Sequence, residues 1–448
     1  MGDALDGSEQ ALYNFEMGPV HEAFMQVVED NQNPQTGDVP VVVPGSAGQC
    51  DDIAWTSAYP QITAMQHQYY GDTRTLQRKF TSLVKYTENL ISNADSSASN
   101  AHAGLAVCDQ FKDWLCGNAQ SCCTNKGSPS CPVGAEMGGF NYVLGLRAMS
   151  QMAAILGNST AAARYAKYAA TGTKEFHSYF YNTTIGRYGG DEGAIQSLSL
   201  PALKIGSPPD AATLGHVVET VAKDLKEINF TLAVGAVTSK ILFNMLSENG
   251  LHESALRAAI NTDEPSIGHW WKEWNATTCY EAFPNTNSAT NPSGTLNHIF
   301  LCGGIGHWMW KHLVGLTPAA PGFAEVSLIP RIHDSVGPKS VGGQFLSPKG
   351  VISSAWKLSA GAVSLSVSLP VGVGAATIVV PKPMTGGTPA SAATVTLGGT
   401  VVWDGAKLVG KPAGILSATD QPGGVAFKTT NGAFAFESKA KTEWLAIL

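Results

Sequence analysis

Apolar residues recur at helical spacing from about residue 5 to residue 315. Leu76, Phe80, Leu83, Val84, Leu90 and Ile91 follow i, i+4, i+7 steps, the signature of one buried helix face. Tyr142, Leu146, Met149, Met152 and Leu156 repeat the pattern, and Tyr165, Tyr168, Phe176 and Phe180 do so again. Asp210 is placed to cap a helix carrying Leu214, Val217, Val218, Val221 and Leu225, since a short carboxylate accepts the first unpaired amides. A further helix is predicted from about 234 to Leu246, stopped by Gly250. Gly/Pro/Asn-rich connectors separate these helices, and two of them, 94–135 and 262–294, are long. Long connectors in a compact domain usually carry function. Helix pairs joined in this way predict an α/α toroid with its loops gathered over one mouth, without a strict internal repeat.

After Gly315 the period changes. Leu316 to Gly322 reads as a linker, and Val363, Leu365, Val367 and Leu369 then alternate with small or polar residues. Ala376-Thr377-Ile378-Val379-Val380 ends at Pro381, and strand-like segments continue to about Phe436. Period-2 alternation with Gly/Pro/Ser turns predicts a β-sandwich. The chain is therefore read as a helical domain over 1–315 and a β-sandwich over 316–448, the latter without a cluster of acids or histidines.

Composition narrows the chemistry. Charged residues make up 14% of 448, below the roughly 25% usual for soluble domains. The net charge of −7 and the lack of a Lys/Arg run argue against nucleic acid and anionic membranes as partners. No apolar run approaches the length of a membrane span, and the chain opens without a signal-peptide pattern. Eight cysteines occur, five of them (Cys108, Cys116, Cys122, Cys123, Cys131) close together. An even, clustered set predicts disulfides in an oxidising compartment, with the pairing left open. Zinc is the weaker alternative, because no Cys-x-x-Cys pair is present. No metal site and no cofactor are expected, and no Asp/Asn-rich calcium loop is recognisable. Sequons at Asn158, Asn182, Asn229 and Asn275 add weight to an extracellular or secretory-pathway glycoprotein, although a glycan on Asn275 would crowd the segment described next.

Candidate chemistry concentrates between Trp270 and His298. Trp270, Trp271 and Trp274 fall within the eleven residues before Glu281, and His298 follows in Leu296-Asn297-His298. Aromatic walls with a few polar groups suit a pyranose, which presents an apolar C–H face and a rim of hydroxyls. A carboxylate in such a wall is a candidate acid or base for glycosidic chemistry. An aromatic core with Glu281 paired at its edge explains the same residues.

Several motifs point the same way. Pro265-Ser266-Ile267-Gly268, then Ala276-Thr277-Thr278-Cys279-Tyr280-Glu281, then Leu296-Asn297-His298 resemble the P-S-x-G, A-T-T-x-W-E-x-W and S-L-N-H segments of the α-L-rhamnosidases of glycoside hydrolase family 78. Upstream, Gly37 to Pro44, Ile53-Ala54-Trp55, Tyr70-Gly71-Asp72 and Asp113-Trp114 resemble further segments of that family in the same order. Ser347 to Ile352 followed by Trp356 resembles its C-terminal β-domain.

The resemblance implies an (α/α)6 barrel followed by a β-sandwich, acting on carbohydrate by removing terminal α-L-rhamnose with inversion. Glu281 would be the general base. Trp55 and Trp114 would wall the sugar pocket, His298 and Asp3 would bind hydroxyls, and Asp52 and Asp113 are counted with the sugar-binding set. Asp51 and Asp52 have a second reading, as caps of a helix over about 56–70. Gly2-Asp3-Ala4 matches the end of the family's D-E-R-x-G-W-x-G-D-A motif, so its general-acid Glu is expected before Met1, together with the first part of the barrel. Asp51, Asp52, Glu136 and Asp191 are weighed as substitutes for it. Tyr280 and Phe283 stand where the family usually has Trp. The alternative to an enzyme is a catalytically silent rhamnose- or polysaccharide-binding homologue.

Overall fold

The computed structural model describes residues 1–48, 50–96, 102–115, 133–189, 195–283 and 295–441. The chain divides into two compact units, one of Met1–His67 with Asp72–Ile305, the other of Gln68–Gly71 with Gly306–Leu448.

The first unit is helical. Its described helices are α1 (Gly2–Asn14), α2 (Gly18–Asp30), α3 (Ile53–Thr56), α4 (Ala58–Tyr70), α5 (Arg74–Asp95), α6 (Val133–Ile155), α7 (Ser159–Phe180), α8 (Ile195–Ile205), α9 (Ala211–Glu227), α10 (Ala236–Glu248), α11 (His252–Ile260) and α12 (Ile267–Trp274). Consecutive helices pack as pairs, α6 with α7, α8 with α9 and α10 with α11. Their burial sorts them into two layers. Every residue of α10 from Ala236 to Ser247 is buried, and α8 is buried along nearly its whole length. A helix covered on all sides belongs inside. α9 buries only Val217, Val221 and Leu225, one stripe at i, i+4, i+8, as an outer helix does. This inner and outer layering is the α/α toroid that the periodicity predicts.

Local chemistry sets the helix ends. Asp210 accepts the Thr213 amide at 2.7 Å to start α9, as expected, and Asn158 accepts the Ala161 amide at 3.0 Å to start α7. Ser266 caps α12 through the His269 amide at 3.1 Å, and Asn275 ends it in the left-handed conformation at φ 51°. Within the stretch read as the 262–294 connector there is thus a real helix, built on the Trp270 to Trp274 run.

The main part of the second unit begins at Gly306, within a short helix over Ile305–Trp308 that runs into a π-helix over Met309–Val314, and continues as two sheets. One holds, in spatial order, Thr400–Trp403, Ala393–Leu397, Gly432–Ala440, Ala362–Leu369, Gly350–Ser359 and Ser340–Ser347. The other holds Ile415–Gln421, Gly424–Thr429, Ala375–Pro381, Glu325–Leu328 and Leu316–Pro318. Val363, Leu365, Val367 and Leu369 point inward and Ser364, Ser366 and Ser368 outward, the alternation expected of a strand with one buried face. Phe427 and Phe436, one from each sheet, stack with centroids 5.0 Å apart at the centre of the sandwich.

Candidate active site

Three segments of the helical unit converge on Glu281. The first is the start of α1. A Cβ at Gly2 would lie 2.6 Å from the Trp55 indole, so only glycine lets this helix approach the ring so closely. The second is the turn from Asp52 through Trp55 with the loop from Cys108 to Leu115, joined by the Cys50–Cys108 disulfide. The third runs from Cys279 to Cys302, closed by the disulfide between those two residues.

Aromatic rings from these segments form one cluster. Trp55 lies 4.8 Å from Phe111, 6.1 Å from Phe300 and 6.5 Å from Trp114, edge-on to the last. His298 lies 4.2 Å from Phe300. Phe111 and Phe300 were not among the expected wall residues. Phe111 stands three positions before Trp114 and Phe300 two after His298, so aromatic spacing around the known motifs was the available signal.

Glu281 sits at the edge of this cluster. Its backbone amide donates to the Thr295 carbonyl at 2.9 Å, and its Oε2 accepts the Thr295 amide at 2.8 Å. Partial desolvation acts to raise the Glu281 carboxyl, but the hydrogen bonds from Thr295, the nearby His298 and the Trp114 side chain outweigh it and hold the group below its ordinary 4.5. An ionised, partly exposed carboxylate is what a general base must be. His298 donates its amide to the Cys279 carbonyl at 2.9 Å, which fixes it in the same segment. Its Nδ1 accepts the Phe300 amide at 3.3 Å and its Nε2 lies 2.9 Å from Asp3 Oδ1. An accepting Nδ1 puts the ring proton on Nε2, and that proton is donated to Asp3. Glu281, Trp55, Trp114, His298 and Asp3 are therefore brought together.

Asp52 and Asp113 require correction. Asp52 is 0% exposed. Its Oδ1 accepts the Trp55 amide at 3.2 Å and its Oδ2 accepts the Gln110 and Phe111 amides at 2.7 and 2.8 Å. Asp113 is 4% exposed and accepts the Gly235 and Thr238 amides at 2.9 and 3.0 Å together with the Ser197 hydroxyl at 2.5 Å. Both carboxylates are spent on backbone donors that hold the wall loop, so neither has an oxygen to offer a sugar. The capping alternative for Asp52 describes it correctly, on α3 rather than on α4.

Among the substitutes weighed for the general acid, burial sets Glu136 apart from Asp51, which is half-buried. Glu136 is 0% exposed and sealed from any leaving group, and Asp51 accepts the Gly48 amide at 2.9 Å. Asp191 lies outside the described residues, as do Cys116, Cys122, Cys123 and Cys131. Trp270 is also corrected. It is fully buried, stacked 4.7 Å from Phe283 and 5.4 Å from Tyr280, so it is core behind the segment. Trp271 turns outward, 48% exposed.

The whole chain has extensive likeness to known proteins. A bacterial alpha-L-rhamnosidase six-hairpin glycosidase domain model matches residues 1–313, and a bacterial alpha-L-rhamnosidase C-terminal domain model matches residues 315–391. An alpha-L-rhamnosidase of Alteromonas sp. (strain LOR) is 23% identical over 391 residues, covering 84% of this chain and 40% of that protein. One from Formosa agariphila is 22% identical over 385 residues, covering 82% and 38%. The solved alpha-L-rhamnosidase from Dictyoglumus thermophilum superposes with TM-score 0.83 at 20% identity, covering 98% of this chain and 45% of that one. That of Streptomyces avermitilis, complexed with L-rhamnose, gives 0.78 at 18% identity, covering 97% and 38%. The chain spans about 40% of the length of the curated relatives it matches.

Proposed function

We propose, from the premise that this chain belongs to the bacterial alpha-L-rhamnosidase six-hairpin glycosidase family, that it hydrolyses terminal α-L-rhamnosides with inversion, Glu281 serving as the base that activates water. The observation that carries the reading is the convergence at one ionised carboxylate of an indole wall, an imidazole and a second carboxylate drawn from three distant segments. In the proposed step a water oxygen attacks the anomeric carbon while its proton passes to Glu281. The glycosidic C–O bond breaks as the new one forms; an aryl oxide leaves as a stabilised anion and takes its proton from water, whereas a poorer leaving group needs a general acid roughly 6.5–9.5 Å from the base, a role assigned to none of the described residues. Trp55 and Trp114 offer apolar surface to the ring, and Asp3 and His298 meet its hydroxyls. The hydrogen bonds that keep Glu281 ionised leave it able to accept a proton through the mildly acidic and neutral range.

The same reading places the protein in an oxidising, extracellular or secretory compartment. The Cys50–Cys108 and Cys279–Cys302 disulfides support this, because such bonds persist where thiols are not kept reduced. Both brace segments that carry the site.

Proton NMR during digestion of an aryl α-L-rhamnoside tests the proposal. β-L-rhamnose is expected as the first product, equilibrating afterwards by mutarotation. First appearance of the α-anomer would contradict a water activated by Glu281. Rhamnose binding without any release would favour the silent sugar-binding homologue.

A further inference from the structure

We propose that Thr278 is a positioning residue for the Glu281 carboxylate: its hydroxyl holds the Leu296 carbonyl, and this bond, with the Cys279–Cys302 disulfide, keeps the Thr295 amide on Glu281 Oε2. The clasp stands on geometry, whereas its effect on hydrolysis rests on the function proposed above.

The segment that carries Thr295 lacks other anchors. Thr295, Leu296 and Asn297 are all exposed, and Leu296 keeps 48% of its surface in water. Packing of their side chains therefore does not hold them. Neither 278–281 nor 295–298 is a strand, so no regular ladder of backbone bonds fixes one against the other. Yet Thr295 grips Glu281 twice, its carbonyl accepting the Glu281 amide at 2.9 Å and its own amide donating to Oε2 at 2.8 Å. A hydrogen bond to a carboxylate is stronger than a neutral one, and it weakens steeply as its angle closes. The Thr295 amide must be kept on line.

Three links keep it there. The Thr278 hydroxyl donates to the Leu296 carbonyl at 2.5 Å, one residue beyond Thr295. The His298 amide donates to the Cys279 carbonyl at 2.9 Å, two residues further on. The disulfide then joins Cys279 to Cys302. Of the three, the Thr278 bond lies nearest Thr295, and it is made by a side chain that one substitution removes. Thr278 acts on the base through Leu296 and Thr295, not on the substrate.

The titratable groups that face Glu281 are unchanged when Thr278 is replaced. His298 comes from the same segment, and Asp3, from α1, lies 2.9 Å from His298 Nε2. Trp114 brings a neutral indole from the wall loop. Desolvation acts to raise the Glu281 carboxyl, and the Thr295 hydrogen bonds lead the influences that hold it below its ordinary 4.5. Loosening Thr295 therefore lets the carboxylate take up its proton at a higher pH.

The test is a carbon-13 carboxyl titration of the full chain labelled at the glutamate Cδ, the Glu281 resonance being assigned by its loss in Glu281→Gln. Wild-type Glu281 should titrate below its ordinary 4.5. Thr278→Val keeps the shape, removes the hydroxyl and should raise the midpoint. Thr278→Ser keeps the hydroxyl and should leave the midpoint near that of the wild type. Replacing Cys279 and Cys302 together by Ser should raise it as well. An unmoved midpoint in Thr278→Val would overturn the proposal, and so would equal shifts in Thr278→Val and Thr278→Ser. If Thr278→Val does not fold, Thr278→Ala removes the same bond without the bulk, and the same two outcomes decide.

Hydrolysis separates the clasp from the function. On an aryl α-L-rhamnoside, Thr278→Val should lower kcat about twofold to tenfold, the effect of one hydrogen bond, with KM little changed and the acid limb moved to higher pH. A rise in KM alone would overturn the positioning of the base. A midpoint that moves in a chain without rhamnosidase activity would uphold the clasp and sink the proposed function. An active chain whose midpoint ignores Thr278 would do the reverse.

Discussion

Two aromatic clusters lie close together in the helical unit, and they do opposite things. Trp270, Tyr280 and Phe283 come from one stretch of sequence and are buried at 0%, 8% and 4% exposure. Trp55, Phe111, Trp114 and Phe300 come from three stretches, and Trp114 is only partly buried where it meets the Glu281 carboxylate. The first cluster is dense in sequence because one helix and its following strand of loop pack against each other. The second is sparse in sequence because chemistry needs groups from several directions. In the dense run Trp270 is core while Trp271 faces outward, whereas the Glu281 cluster is assembled from distant segments. The two also differ in their support. The first is held by apolar packing, and the second by buried carboxylates gripping backbone amides.

That contrast breaks most sharply at Trp270. Replacing it with Ala leaves a large cavity and should cost about 3–5 kcal/mol of stability, read by chemical denaturation. A loss below 1 kcal/mol would remove it from the core. Trp114→Ala should behave in the opposite way. Its stability change should be small, while kcat/KM on an aryl α-L-rhamnoside falls about tenfold to a hundredfold, comparable to about 1.5–3 kcal/mol for one aromatic side chain leaving a buried contact. Retained kcat/KM would take Trp114 out of the wall. Trp271→Ala, at an exposed position beside the core, should change stability by about 0.5 kcal/mol or less and activity not at all.

Much of the architecture was legible because it is periodic. The stripe Val217, Val221, Leu225, the Asp210 cap and the alternation from Val363 to Leu369 are local signals, and each stands where the pattern puts it. Glu281, Trp55, Trp114, His298 and Asp3 were legible through ordered motifs, and they do meet. The roles of Asp52 and Asp113 were not, because an acid beside a tryptophan reads alike whether it faces a sugar or its own backbone. Only the folded chain shows Asp52 spending its oxygens on amides almost 60 residues away.

Hydrogen bonds hold the Glu281 carboxyl below its ordinary range, while burial raises Asp52, Asp109 and Asp113. The acids behind the wall hold backbone amides, and the acid in front of it is the one proposed to activate water.

The most direct measurement is kcat/KM against pH for the wild type and Glu281→Gln on an aryl α-L-rhamnoside, with melting temperatures recorded for both. A base with a lowered pKa stays ionised until the pH falls below its ordinary 4.5, so the wild type should lose activity only on that acid side. Glu281→Gln should melt like the wild type and lose about 10²–10⁴-fold in rate, with the acid limb gone. A folded Glu281→Gln that hydrolyses the substrate within a few-fold of the wild type would contradict the account.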